Sequence, residues 1–265
     1  MKITESSNDQ LRIRPFDNQN KKSTELHPDL PQPPFSLMLV GPKNSGKSSA
    51  ILRLLYGNRR PRGCANNPSN THHKFYRHWF DKIYIFSPTW ELDPKTARCH
   101  IPPDQIFDEP HLYTEVIEQL LSGQEEDIEE EGKTDADKVL MVFSDLAGQK
   151  GVFTSQKGIM NKLAFNHRHY NVSIIIDTQA LRQVNSAFRS NLSGIMLFEG
   201  ISNRIELKKI YDEYLGRFNK HEATQLINYV FNTPYNFMFI NFQKPKHRQF
   251  FKNFNPLKVE GADMG

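Results

Sequence analysis

Eight residues, Gly41-Pro42-Lys43-Asn44-Ser45-Gly46-Lys47-Ser48, constrain this chain of 265 residues more than any other segment. They fit the pattern Gly-x4-Gly-Lys-Ser. An apolar run, Phe35-Ser36-Leu37-Met38-Leu39-Val40, precedes them, and a helix-like run, Ser48-Ser49-Ala50-Ile51-Leu52-Arg53-Leu54-Leu55, follows. Strand, glycine-containing loop and helix in that order make the phosphate-binding unit of P-loop proteins. Small residues let the loop close around phosphates, so that backbone N–H groups from about Lys43 to Ser48 face anionic oxygens at a helix N-terminus. Lys47 then brings a point charge to the β and γ phosphates, and the Ser48 hydroxyl is a ligand for Mg2+. Gly41, Pro42, Lys43, Asn44, Ser45, Gly46, Lys47, Ser48 and Ser49 are therefore the expected binding residues for ATP and Mg2+.

The rest of the chain alternates between short apolar runs and helical periodicity. Strands are expected over 82–86, 139–143, 172–176, 194–198 and, as the last, 235–240; helices are expected over 108–121, 158–167, 205–215 and 221–230. The run Val139-Leu140-Met141-Val142-Phe143 has no polar residue, as in strands covered on both faces. Such alternation, with the phosphate loop, predicts an α/β P-loop NTPase fold with a mainly parallel central sheet flanked by helices. Residues 1–34 are rich in Ser, Asn, Gln, Lys and Pro and are expected to form a flexible N-terminal arm. The ATPase core then spans 35–242, and 243–265 is a basic C-terminal tail. Gln124-Glu125-Glu126-Asp127-Ile128-Glu129-Glu130-Glu131 reads as a solvated helix end or loop, and 57–77 as a basic loop carrying Arg59, Arg60, Arg62, Lys74 and Arg77.

Charge and composition narrow the partners only a little. The net charge of +4 suits a polyanion without requiring one, and the 19 Phe and 9 Tyr serve a core or a base-stacking surface. Cys64 and Cys99 are too few for a disulfide framework, so a reducing intracellular setting is expected. Neither cysteine forms a metal-ligand spacing with His72, His73, His78 or His100. The first residues lack a secretion signal and no apolar run reaches ~18 residues, so no membrane insertion is expected. Asn171-Val172-Ser173 matches a glycosylation triplet but overlaps a strand expected to be buried.

Hydrolysis needs more than a phosphate loop. Asp145 ends the apolar run 139–143, where open α/β sheets place functional groups. Two adjacent acids are usual at this place, one for the metal and one for the attacking water; here Ser144 precedes Asp145. Either Asp145 activates water while Ser144 reaches the metal through water, or Asp145 serves the metal and the base lies elsewhere. A helix cap is its structural alternative. Gln179, just after the fourth strand, suits a water-orienting role, with Asp177 read as structural. Arg168 and Arg189, on either side of that strand, are candidates for an arginine finger from a neighbouring subunit, with a surface ion pair as the plainer role for each.

These segments, Leu39-Val40-Gly41 through Ser48, Val142-Phe143-Ser144-Asp145-Leu146, Asn166-His167-Arg168-His169-Tyr170-Asn171 running into Ile174-Ile175-Ile176-Asp177-Thr178-Gln179, and Phe188-Arg189-Ser190-Asn191-Leu192, have a joint resemblance. Together they resemble the poxvirus-type genome-packaging ATPases of the FtsK–HerA superfamily, found in large DNA viruses, virophages and related transposons. The Arg-His ahead of an apolar strand ending in Gln is the more discriminating part, and the resemblance spans about 35–242. It implies a homo-oligomeric ring that hydrolyses ATP to drive double-stranded DNA into a preformed capsid. Capsid protein or a portal vertex is then a partner, and the host cytoplasm or viral factory, with virion association, the location. Lys47, Ser48, Asp145 and Gln179 inherit nucleotide roles by position, and Ser144 departs from the pattern. The Arg59–Arg77 segment and Lys244-Pro245-Lys246-His247-Arg248 are candidate DNA or capsid contacts. Two other classes share the phosphate loop: a small-molecule, nucleoside-type kinase, and a nucleotide-binding interaction module without turnover.

Overall fold

In the computed structural model, which describes residues 2–5, 26–56, 75–76, 79–96, 101–145 and 158–260, the apolar runs lie side by side. The elements in chain order are β1 (Lys2–Glu5), β2 (Ser36–Val40), α1 (Lys47–Tyr56), β3 (Lys82–Phe86), β4 (Ile106–Phe107), α2 (Tyr113–Glu131), β5 (Val139–Phe143) and α3 (Ile159–Asn166). There follow β6 (Val172–Thr178), α4 (Ser186–Ser190), β7 (Gly194–Phe198), α5 (Arg204–Tyr214), α6 (Lys220–Val230), β8 (Phe237–Asn241), β9 (Phe250–Lys252) and β10 (Asn255–Glu260). The sheet order is β1-β10-β9-β8-β7-β2-β6-β5-β3-β4. The six strands from β7 to β4 are parallel, and β8, β9, β10 and β1 continue the sheet antiparallel. This is the α/β, mainly parallel P-loop arrangement expected from the alternation.

Burial explains why the central strands contain so little polar character. Every residue of β2, β5, β6, β7 and β8 is buried. Alternation still sorts their side chains between two layers. Leu37 and Leu39 face the side covered by α1, with Ile175, Met196, Phe198, Phe237, Phe239 and Phe251. Met38 and Val40 face the other, with Ile174, Ile176, Ile195 and Leu197 and the helices α2, α3, α5 and α6. Among the described residues, α1 is the one helix of its layer, and aromatic rings complete the cover: Phe35 stacks on Tyr76 at 4.8 Å, and Phe254 packs edge-on against Phe237 at 5.1 Å. Each fully buried ring of this kind contributes ~1.5–3 kcal/mol by removal from water.

The ends of the chain depart from the expected tails. Residues 26–34 are not a free arm: Leu30 and Phe35 are wholly buried, the Tyr76 hydroxyl donates to the Pro31 carbonyl at 2.7 Å, and Asn241 Nδ2 donates to the Asp29 carbonyl at 3.0 Å. Residues 2–5 pair with β10. Segment 243–265 is likewise more than a tail, because β9 and β10 within it extend the sheet past β8, so 237–241 is not the last strand. Their Phe250, Phe251 and Leu257 are buried in the two cores, and a local reading of a lysine-rich stretch gives these few apolar residues too little weight. Helix α2 starts later than residue 108 and runs through the acidic stretch to Glu131, where Gly132 at φ 86° ends it. Cys64, Cys99, His72, His73, His78, His100, Leu146 and the arginines and lysine of the 57–77 segment lie outside the described residues. Ser173 of the glycosylation triplet is buried in β6. Among the described residues no helix is long and apolar enough to cross a membrane.

His167, just after α3, shows what the dense core does to a titratable ring. It is 2% exposed, its Nδ1 lies 3.1 Å from the Leu163 carbonyl oxygen, and its Nε2 is buried without a partner among the described residues. Burial pushes its pKa down from 6.5 to about 4, against the hydrogen bond to Leu163 and helped by the Arg168 charge. The unfolded chain therefore takes up this proton first. The resulting stability is fully present above pH 6.5 and is lost as pH falls toward about 4, by up to ~3 kcal/mol. Urea unfolding at pH 7 and pH 4.5 should show a steeper loss for the wild type than for His167→Leu.

Candidate active site

The C-terminal edge of the parallel strands gathers the residues singled out by sequence. β2 pairs with β6, Val40 opposite Thr178, and β6 pairs with β5, Phe143 opposite Ile176. Strand β6 thus stands between the strand that feeds the phosphate loop and the strand that carries Asp145. Neighbouring strands lie ~4.8 Å apart, so this order leaves about 10 Å between the loop and Asp145, room for a phosphate chain. The edge opens into a cleft of ≈ 1170 Å³ lined by Lys43, Ser48, Thr89, Asp145, Gln179 and Tyr235, among others.

The loop's shape comes from two glycines and an asparagine. Asn44 and Gly46 adopt φ 64° and 105°, left-handed conformations that asparagine tolerates and glycine adopts freely. Left-handed turns within a right-handed path bring successive N–H groups to one side, making an anion-binding nest. Gly41 is required for a different reason: a Cβ there would stand 2.6 Å from Phe198 Cβ and 2.7 Å from Ser45 Oγ. The Gly41 N–H donates to the Thr178 carbonyl at 3.1 Å, so the loop is anchored to β6 from its first residue. Ser45 Oγ is buried in the cleft wall without a hydrogen-bond partner among the described residues. At the start of α1, the first-turn N–H groups have no partner within the helix.

Lys47 lies inside this cradle. It is 8% exposed, and its Nζ donates to the carbonyls of Gly41 at 2.8 Å and Pro42 at 3.0 Å. Burial pulls its pKa down, and the carboxylates of Asp177 and then Asp145 oppose that pull. Asp177, 7% exposed, is pushed up by burial against the Asp145 N–H and the Lys47 charge. Each charge thus helps hold the other, beside the loop carbonyls for Lys47 and the Asp145 N–H for Asp177, in a site where an unpaired ion would be costly.

Asp145 faces the cleft at φ 53°, another left-handed residue. Its N–H donates to Asp177 Oδ1 at 2.8 Å, and its Oδ2 accepts from the Thr89 hydroxyl at 3.0 Å. The Ser144 side chain also hydrogen-bonds Asp177. A second carboxylate thus lies beside Asp145, on the neighbouring strand. Asp177 acts as a positioning residue: it fixes the backbone turn that aims Asp145 and neutralises Lys47. Asp177 is the one acid of β6 and fits the structural reading, with an electrostatic contact to Lys47 added. Thr89 carried no signal, since its contact with Asp145 arises from the pairing of β3 with β5.

Gln179 is exposed in the cleft wall. Gln183 Oε1 orders its turn by accepting from Thr178 Oγ1 at 2.5 Å, Gln179 N at 3.1 Å and Ala180 N at 3.2 Å. The amide of Gln179 is thereby carried on a fixed backbone.

Neither arginine candidate belongs to this cleft. Arg189 is 8% exposed and committed within its own chain: Nε and Nη2 donate to Glu213 at 2.8 and 2.7 Å, and Nη1 donates to the carbonyls of Leu181, at 3.0 Å, and Val184. A guanidinium so held ties the turn after β6 to α5 and has no fork to offer a neighbour, so the expectation of a finger at Arg189 is corrected. Bidentate pairing with Glu213 raises its pKa. Arg168 is exposed but precedes β6, at the far end of a strand of seven residues, ~23 Å long, from Gln179.

Among the described residues no group of three or more His, Cys, Asp or Glu is poised for a metal. Mg2+ suits that poverty, since it keeps waters and takes one or two carboxylates beside phosphate oxygens. The Ser48 hydroxyl and the Asp145 carboxylate on opposite sides of the cleft fit it.

A sheet of this order with a phosphate loop after β2 defines the class: an α/β P-loop NTPase fold. The chain is similar to the DNA-packaging ATPase B204 from Sulfolobus turreted icosahedral virus, at 14% identity and a TM-score of 0.51, over 80% of this chain and 94% of that one. The genome packaging NTPase B204 of Sulfolobus turreted icosahedral virus 2, solved with sulfate, matches at 13% identity and a TM-score of 0.50 over 80% and 93%. The pCW3 conjugation coupling protein TcpA, solved with ATPγS, matches at 14% identity and a TM-score of 0.51 over 84% of this chain and 60% of that one. No family model and no curated protein matches the sequence. The fold agrees with the resemblance carried by the motifs.

The two arginines separate by experiment. Arg189→Ala leaves buried carbonyls and Glu213 without a partner and should cost on the order of 3 kcal/mol in chemical denaturation, while Arg168→Ala should stay within about 0.5 kcal/mol of wild type.

Proposed function

We propose that this chain is the ATP-hydrolysing subunit of a motor that translocates double-stranded DNA into a preformed capsid, working as a homo-oligomeric ring. The observation that carries the nucleotide half is the phosphate cradle, with Lys47 Nζ held at 2.8 Å from the Gly41 carbonyl inside a turn shaped by Asn44 and Gly46. The cradle takes the phosphate chain, and Lys47 turns from its own loop's carbonyls to the β and γ oxygens. Ser48 and Asp145 would hold Mg2+, which when bound neutralises charge on the phosphate oxygens. Asp145 or a water it orders faces the γ-phosphate, with Thr89 and Asp177 fixing its direction. Gln179 orients the attacking water by accepting and donating at one amide. Arg168, too far for its own cleft, reaches only that of a neighbouring subunit, which suits a finger supplied in trans within a ring.

The DNA half rests on the motif resemblance and the shared fold. It is supported by charge at the end of the sheet away from the cleft, where Lys246, His247 and Arg248 are exposed in the turn between β8 and β9. Loose phosphate contacts of this kind hold a polyanion without reading its sequence. Lys244 belongs less to that surface, since it pairs with Asp29 at 3.4 Å. Capsid protein or a portal vertex is the proposed partner, with the host cytoplasm or viral factory as the setting.

Steady-state ATP hydrolysis with and without double-stranded DNA over a salt series tests the reading. Turnover should rise with DNA, fade as salt weakens phosphate contacts, and fall at least a hundredfold in Lys47→Ala and in Asp145→Asn. ATP binding without turnover in the wild type would overturn the motor in favour of a nucleotide-binding interaction module. Turnover that needs a small acceptor and ignores DNA would favour a kinase.

A further inference from the structure

One aromatic residue of the cleft is not explained by packing. Tyr235, in the connection from α6 to β8, is 71% exposed, while its neighbours Phe237, Phe239 and Phe254 are buried. Its backbone stands at φ 66°, a conformation bulky residues rarely adopt. The surrounding turn is held from several sides. Asn236 Nδ2 donates to the Val230 carbonyl at 3.0 Å, Asn253 Nδ2 donates to Asn236 Oδ1 at 2.5 Å, and Phe237 N donates to Asn253 Oδ1 at 2.9 Å. Asn253 and Phe254, in the β9–β10 turn, are themselves at φ 51° and 70°. Two left-handed turns are thus tied together, and between them they hold an aromatic ring out of the core.

That ring is aimed at the phosphate loop. A Cβ on Gly46 would stand 3.9 Å from Tyr235 Cδ1 and 3.8 Å from Phe198 Cε1, so ring and loop are in van der Waals reach across one wall of the cleft. Strain maintained by a surrounding network, with no burial in return, is the signature of a functional conformation. A flat apolar face beside a phosphate cradle matches one class of ligand: an aromatic base joined to a phosphate chain.

We propose that Tyr235 is the nucleobase platform of this site, its ring stacking on the base of the nucleotide whose phosphates the loop holds. The proposal rests on the nucleotide reading of the loop given above. It also assigns a role to β9 and β10: their turn, through Asn253, positions the platform. Stacking uses the face of the base and not its hydrogen-bonding edge, so it favours any nucleotide over bare polyphosphate.

Titration calorimetry of the full chain with ATP and with inorganic tripolyphosphate tests this. Tyr235→Ala and Tyr235→Asn, the second chosen because asparagine tolerates the left-handed backbone, should weaken ATP about tenfold and leave tripolyphosphate within twofold; Tyr235→Phe should bind both as wild type does. Unchanged ATP affinity in the ringless variants, or an equal loss for both ligands, overturns the platform. Binding of neither ligand by the wild type overturns the loop reading itself, and the platform with it; tripolyphosphate bound as tightly as ATP by the wild type overturns the platform alone.

Discussion

A lysine ammonium buried between its own loop's carbonyls and an aspartate on the next strand is the interaction on which the rest of this site depends. Lys47 belongs to the first turn of α1 and Asp177 to the end of β6, so their attraction joins the phosphate loop to the sheet. Burial works against both charges, and each opposes that pull on the other, beside the Gly41 and Pro42 carbonyls for Lys47 and the Asp145 N–H for Asp177. The same Asp177 receives the N–H of Asp145, so the cleft's exposed carboxylate is positioned by the group that neutralises the loop's cation. Loop, counter-charge and acid therefore form one coupled unit spread over three strands.

Strand order makes that unit possible. With β6 between β2 and β5, residues from β6 touch both the loop and Asp145, and the two ends of the cleft stay far enough apart for a phosphate chain. The parallel strands all end at this edge, while their opposite ends carry Arg168 and the exposed basic turn at 246–248. Nucleotide chemistry and basic surface are thus separated by the length of the strands.

Much of the fold could be read locally because it depends on local properties. Gly41 and Gly46 stand out as motif residues, though one is needed for close approach to Phe198 and the other for its backbone angle. The runs at 82–86, 139–143 and 194–198 became strands with those same bounds, since short, mostly apolar runs with no helical period have little alternative in such a sheet. Other elements were less legible. The acidic half of α2 is helical through continuity with its apolar first half, and β9 and β10 are strands because β8 offers an edge to pair with. Arg189 looked available for a partner in trans, since nothing near it in sequence announces Glu213 on α5.

The amino-acid sequence by itself determined the phosphate loop, the alternation of strands and helices, and the chemical character of Lys47, Ser48, Asp145 and Gln179. These follow from spacing, side-chain type and backbone preference, which act over a few residues. Only the tertiary structure decided that Asp177 receives the Asp145 N–H, that Arg189 is an internal clamp, and that Tyr235 stands over the loop from a turn about 190 residues later in the chain. Each of these depends on which strands become neighbours. That choice is made by burial of the two sheet faces as a whole, and no single segment encodes it.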